Sequence, residues 1–316
     1  MHLVTIRLPG RQSAGALIGG EVLDFVGAAD AITAARLLPH SVRGLIEGGE
    51  EAMNLARRVI DEVANKKAVA DRLRQSWALV PREKANLAAP IPDTGFILSC
   101  GINYHAHIKE MKGEPPSKPV AFAKSVGAII GPGEAIRLPP SHPTMVDWEG
   151  EFCAVIGKPC HAVKEADALS YVAGYTLVND VSARDWVAPV FQATGTMGPI
   201  LAWDHNILGK QFPTFCPMGP AFATKDEIAD PNDVAFTTSL NGKVMQEANT
   251  DDLVFNVAQL IAYYSQFFLL RAGDVITTGS PSGVGYGRDP KIFMKAGDRI
   301  EVQCKAIGTL SNPISA

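Results

Sequence analysis

The sequence has no Cys-x-x-Cys pair, no internal repeat, and no apolar run reaching the ~20 residues that a membrane helix requires. Its five cysteines, Cys100, Cys153, Cys160, Cys216 and Cys304, are scattered and odd in number. They argue against a zinc knuckle or a redox pair and fit a reducing cytoplasm, which is the expected location. The most apolar stretch, Phe255 to Leu270, is interrupted by Asn256, Gln259, Ser265 and Gln266, so no transmembrane segment is expected. Residues 1–8 alternate like a strand and lack the apolar core and cleavage site of a signal peptide. A total of 29 Lys and Arg against 33 Asp and Glu gives a net charge of −4, which offers no general attraction to nucleic acid or to an anionic membrane. What is present is 47% hydrophobic residues over 316 positions, enough for a soluble globular protein with one large core or two smaller ones.

The pattern of those hydrophobic residues divides the chain. Short β-rich runs up to Phe25 are punctuated by Pro9-Gly10 and Gly19-Gly20. Ala52, Leu55, Ala56, Val59, Ile60 and Val63 then recur at helical spacing, and a second helical stretch covers Ala68 to Trp77. Pro90-Ile91-Pro92 reads as an extended linker, so a small N-terminal α+β domain (1–88) is expected before a larger, mostly β domain (89–316). In the second part, β-like runs dominate, including Gly95 to Cys100, Pro119 to Lys124, Val146 to Ile156, Ala173 to Asn179, Asp274 to Thr278 and Arg299 to Lys305. One long helix is expected there, over Asp251 to Phe268, capped by the cluster Asn249-Thr250-Asp251-Asp252.

The run Val146-Asp147-Trp148-Glu149-Gly150-Glu151-Phe152 alternates. As one strand it would point Asp147, Glu149 and Glu151 to the same face, neighbours roughly 6.6 Å apart, a spacing from which two carboxylates can converge on one ion. A half-exposed strand with an acidic wet face has the same pattern. Asp180, at the end of the apolar run Gly174 to Asn179, is a third candidate. Three convergent carboxylates repel one another unless a cation joins them, and an all-oxygen set favours Mg²⁺, Mn²⁺ or Ca²⁺ over zinc. Further upstream, His107 and Glu110 share one face of a short helix that opens after Gly101. Such a pair can serve as a base and its orienter, or stand as an ordinary polar helix face.

Taken together, these segments resemble the fumarylacetoacetate hydrolase family over Phe96 to Pro313. The likeness is carried by eight motifs in order. They are Gly101-x-Asn103-Tyr104-x-x-His107-x-x-Glu110, Phe122-x-Lys124, Asp147-Trp148-Glu149-x-Glu151, Gly174-Tyr175-x-x-x-Asn179-Asp180, Arg184-Asp185-Trp186, Gly209-Lys210 ahead of Cys216-Pro217-Met218-Gly219-Pro220, Asn241-Gly242 with Gln246, and the run from Gly273-Asp274 to Gly283-Val284-Gly285. The resemblance implies an α+β protein, mostly β, with a mixed β-sandwich roll, a homodimer, and Mg²⁺ or Mn²⁺ held by Glu149, Glu151 and Asp180. It gives His107 the role of general base, Glu110 that of its partner, Lys210 a place beside the metal and the developing enolate, and Arg184 that of a site arginine. Tyr104, Lys124, Gln192, Thr278 and Gly279 are implied around the substrate.

Three departures bear on the reaction. Val187 stands where relatives carry glutamine three residues after the arginine, Pro189 to Trp203 is longer than in simpler members, and Phe212-Pro213-Thr214 lacks an acidic residue. The expected activity is metal-dependent hydrolysis of the C–C bond of an acylpyruvate-type 2-oxo acid or diketo acid by water activated at His107. The alternatives are decarboxylation or isomerisation of a 2-oxo acid through the same enolate, and a ligand-binding module without catalysis.

Overall fold

Apolar residues build two large sheets whose facing sides are both closed from water, and a third, two-stranded sheet pairs Val146–Asp147 with Ser182–Ala183. The computed structural model describes residues 1–316. The larger sheet has eleven strands. Ten lie in the order Leu79–Pro81, Glu21–Asp24, Arg11–Ile18, His2–Leu8, Cys216–Thr224, Val172–Asn179, Gly150–Ile156, Val275–Thr277, Ile97–Gly101 and Val120–Lys124, and Ile129–Ile130 pairs with Cys216–Thr224 off that path. His2–Leu8 pairs with Cys216–Thr224, so strands from both sides of the Pro90-Ile91-Pro92 linker share one sheet. The smaller sheet orders Lys243–Asn249, Ala235–Leu240, Arg299–Cys304, Gly308–Ser315 and Ile136–Arg137.

The strand Gly150–Ile156 shows how the layers form. Its seven residues are all buried. Cys153 and Val155 join a core with Val42, Leu45, Val59 and Leu73 from the N-terminal helices, while Phe152, Ala154 and Ile156 join one with Phe236, Val302 and Leu310 of the smaller sheet. The period of two thus sends alternate side chains into two cores. This is an α+β fold, with the β-sandwich formed where the two sheets face each other. The amphipathic helix runs Gly49–Asn65 and the next Lys67–Gln75, as their periodicity predicts. All five cysteines are buried free thiols.

Three expectations need correction. The acidic run is not one strand: Val146–Asp147 and Gly150–Ile156 are separate, and Asp147, Glu149 and Glu151 are all buried, so no wet acidic face exists. The helix expected over Asp251 to Phe268 spans only Val257–Tyr264, with Asn256 and Gln259 forming its capping box. Thr250–Asp252 forms a separate 3-10 turn, and Val254 N and Phe255 N donate to Asn103 O and Asn103 Oδ1, long-range bonds that take up the backbone between that turn and the helix. Asn256→Ala is expected to cost about 1 kcal/mol in a denaturant melt. Finally, that helix is not the only one of length in this part, because the apolar segment folds as Val187–Gln192 and Gly198–Leu208.

Candidate active site

Two neighbouring strands carry the acidic residues to one place. Gly150 pairs with Asn179, Asp180 N donates to Glu149 O at 2.8 Å, and Glu149 N donates to Asn179 Oδ1 at 2.9 Å. Gly150 is required between the two glutamates, since a Cβ there would lie 2.0 Å from Thr238 Oγ1. Glu149, Glu151 and Asp180 each present a carboxylate oxygen, and these atoms lie within 4.8 Å of one another. The expected triad therefore assembles. Asp147 does not join it. Its carboxylate instead accepts from Trp148 N, Gly285 N, Tyr286 N and Arg184 Nε, tying the glycine-rich loop to the arginine.

Three cations stand among these carboxylates. Lys210 Nζ donates to Glu149 Oε2 at 2.6 Å, Asp180 Oδ2 at 2.9 Å and Ser182 Oγ at 2.8 Å. Arg184 Nη2 pairs with Glu149 Oε1 at 2.6 Å, and buried Lys124 pairs with Asp180 Oδ1. Burial alone would raise Asp180, but the ammonium groups of Lys124 and Lys210 outweigh it and hold this carboxyl at about 2. Burial is likewise outweighed at Glu149, which Lys210 and Arg184 hold below the usual range. Glu151 is different. Burial, and then the charges of Asp180 and Glu149, push it well above the ordinary glutamate value. One of its oxygens accepts from Gly279 N at 3.1 Å, while Oε1 is buried with no partner.

That orphaned oxygen, one of an all-oxygen donor set with Glu149 and Asp180, fits a hard divalent cation. With every group ionised, Asp147, Glu149, Glu151 and Asp180 exceed Lys124, Arg184 and Lys210 by one negative charge. A folded state that raises Glu151 gains stability below the ordinary glutamate value and loses it as pH rises through the raised value. In the absence of metal, Glu151→Gln is therefore expected to flatten the fall in melting temperature with pH. The same variant should lose stabilisation by Mn²⁺ or Mg²⁺, which in the wild type should reach about 2.7 kcal/mol at a hundred times Kd.

The basic partner is equally defined. His107 lies on the helix His105–Glu110, and its Nδ1 is 2.9 Å from Glu110 Oε2. Glu110 Oε1 accepts from Gly283 N at 3.0 Å. Asn103 fixes the entry to this helix by bonding Phe255 and Thr278 through its side chain. His107, Glu149, Arg184 and Lys210 all line one cavity of about 280 Å³, and more than half of its twenty lining residues are hydrophobic. Tyr104, Lys124, Thr278 and Gly279 stand outside the lining. Tyr104 and Thr278 are buried and bonded hydroxyl to hydroxyl at 3.3 Å, and Gly279 meets Glu151. Gln192 is exposed and is no part of the lining. The sequence reading missed Ser182, a small hydroxyl between Asp180 and Arg184 that only the folded Lys210 identifies, and Ser280, which lines the cavity.

Comparison with known proteins agrees with this geometry. The family model "Fumarylacetoacetate (FAA) hydrolase C-terminal" matches residues 97–315. The chain is 38% identical over 297 residues to an oxaloacetate tautomerase of Rattus norvegicus, Fahd2a, covering 94% of this chain and 85% of that protein. The fumarylacetoacetate hydrolase of Exiguobacterium antarcticum superposes with a TM-score of 0.74 at 29% identity, covering 100% and 99% of the two chains. A maleylpyruvate hydrolase from Sphingobium sp. SYK-6, solved with manganese(II) and pyruvate, gives 0.68 at 25% identity with the same coverage. The rat protein is named as mitochondrial, which overturns the cytoplasmic location expected from cysteine usage and the N-terminus. The order of motifs, the acidic triad and the matched family model agree, and the chain is an enzyme of the fumarylacetoacetate hydrolase family.

Proposed function

We propose that this enzyme is a tautomerase that moves a proton between C3 and the 2-oxygen of a 2-oxo acid. The observation that carries the reading is Val187, buried in the cavity wall at the position where the family pattern has glutamine. An isopropyl group offers no hydrogen bond to an attacking water, and tautomerisation needs none. The 38% identity to an oxaloacetate tautomerase supports the same choice.

A divalent ion held by Glu149, Glu151 and Asp180 would act as a Lewis acid towards the 2-oxo carbonyl. The protein's own groups do the rest. Glu110 accepts the Nδ1 proton of His107 and so leaves Nε2 free to take a proton from C3. The C–H electron pair becomes the C2–C3 double bond, the carbonyl pair moves to the oxygen, that oxygen takes up a proton from solvent, and His107 returns to solvent the one it took from C3. Lys210 and Arg184 place fixed positive charge where negative charge develops.

The second reading is hydrolysis of an acylpyruvate, favoured by the same His107–Glu110 pair and by the maleylpyruvate hydrolase neighbour. The two separate in one experiment. Protein with Mg²⁺ receives an enol 2-oxo acid and an acylpyruvate in H₂¹⁸O. Accelerated loss of the enol absorbance, with no label entering a carboxylic acid product, is the expected result. Labelled acid without accelerated ketonisation would make the enzyme a hydrolase.

A further inference from the structure

The charged part of the cavity is one bonded cluster, Glu149, Arg184 and Lys210, and so occupies one region of the wall. A different part of the lining is built by the helices Val187–Gln192 and Gly198–Leu208, which contribute Val187, Val190, Phe191, Trp203 and Ile207 and one polar side chain, Asn206. No lysine or arginine other than Arg184 and Lys210 lines the cavity, and both are already engaged by carboxylates. The remaining charged side chain apart from His107 is acidic, Glu114.

A substrate therefore meets two unlike surroundings. The full buried set behind the charged region, Asp147, Glu149, Glu151 and Asp180 with Lys124, Arg184 and Lys210, carries one excess negative charge when every group is ionised; a divalent cation would turn this into one excess positive charge, and a single substrate carboxylate would then balance it. A second carboxylate on the helix-built part would meet aliphatic and aromatic side chains with no free cation to pair it, Asn206 being the one amide that the two helices add to the lining. An apolar group there would instead bury itself against those side chains.

We infer that the substrate is a 2-oxo acid with one carboxylate and an uncharged apolar substituent beyond C3, seated on Val187, Val190, Phe191, Trp203 and Ile207. The inference rests on the tautomerase reading of the site for its chemistry, and on the cavity wall for the substituent. Val190, Phe191 and Trp203 of this wall lie in Pro189 to Trp203, the segment read as longer here than in simpler members, so the head of the substrate can be shared with those relatives while its tail differs.

The test uses the full-length wild-type protein with Mn²⁺. Ketonisation of the phenylpyruvate enol and of enol-oxaloacetate is followed by loss of enol absorbance. In parallel, calorimetry compares binding of 4-methyl-2-oxopentanoate and 2-oxoglutarate. The expected result is at least a tenfold advantage for the apolar tail in kcat/KM and in affinity. Val190→Arg, which sets a cation in the wall, should reverse the preference. Equal or better use of oxaloacetate overturns the inference and leaves the tautomerase reading standing. If neither enol is turned over, the tautomerase reading falls, and the calorimetry alone then decides the tail: tighter 2-oxoglutarate binding would overturn the preference as well.

Discussion

His107→Ala should lower kcat/KM by about 10²–10⁴-fold, the range associated with losing a positioned acid–base group, while the metal-dependent rise in melting temperature stays intact. The separation is expected because His107 and the triad are built independently. Its imidazole is held by Glu110 on a short helix, and none of its hydrogen bonds reaches Glu149, Glu151 or Asp180. The side chain is 17% exposed, so truncation leaves no sealed cavity. Solvent exchange gives a second readout. In D₂O the wild type should incorporate deuterium at C3 of its 2-oxo acid, and the variant should fall towards the spontaneous rate. Retention of most of the exchange would remove His107 from the proton path.

Lys210→Met should destabilise the metal-free protein by about 3 kcal/mol, the low end of the cost of breaking a buried ion pair. The low end applies because neither carboxylate is left bare: Lys124 still faces Asp180 and Arg184 still faces Glu149. Ser182 loses its donor as well. Urea melts with and without Mn²⁺ measure the loss. Because the variant leaves more uncompensated negative charge, Mn²⁺ should stabilise it more than it does the wild type. An unchanged urea midpoint without metal would mean that Lys210 is solvated in solution and does not bridge the carboxylates.

The parts of this site that were legible in the sequence are those set by local pattern. Alternation and a strand end marked Glu149, Glu151 and Asp180 only as candidates, and the ordered family motifs singled them out, because Val146–Asp147 and Gly150–Ile156 are separate strands with Glu149 between them. Asp147 obeyed the same alternation on paper and diverged because three backbone N–H groups and Arg184 claim its carboxylate, one of them its neighbour and the others from distant segments. The helix at Val257–Tyr264 was overextended for a similar reason: Asn103, some 150 residues away, satisfies the backbone that a longer helix would have used. The strand Cys216–Thr224 holds two prolines and a glycine, residues that elsewhere mark turns, yet it lies in mid-sheet beside Val172–Asn179, where the register shifts between Tyr175 and Leu177. The helices at 187–208 were hard to read because neither has a side-chain cap and the second shows little amphipathic contrast, leaving Pro199 in its first turn and Gly209 at its end as its only local marks.

Glu110 uses one carboxylate oxygen to orient the imidazole and the other to grip Gly283 in the loop that Asp147 anchors. The base and the loop thus share one anchor. A change that frees Gly283 N also frees the carboxylate that sets the imidazole ring, so a substitution in the glycine-rich loop can misdirect His107 without touching it.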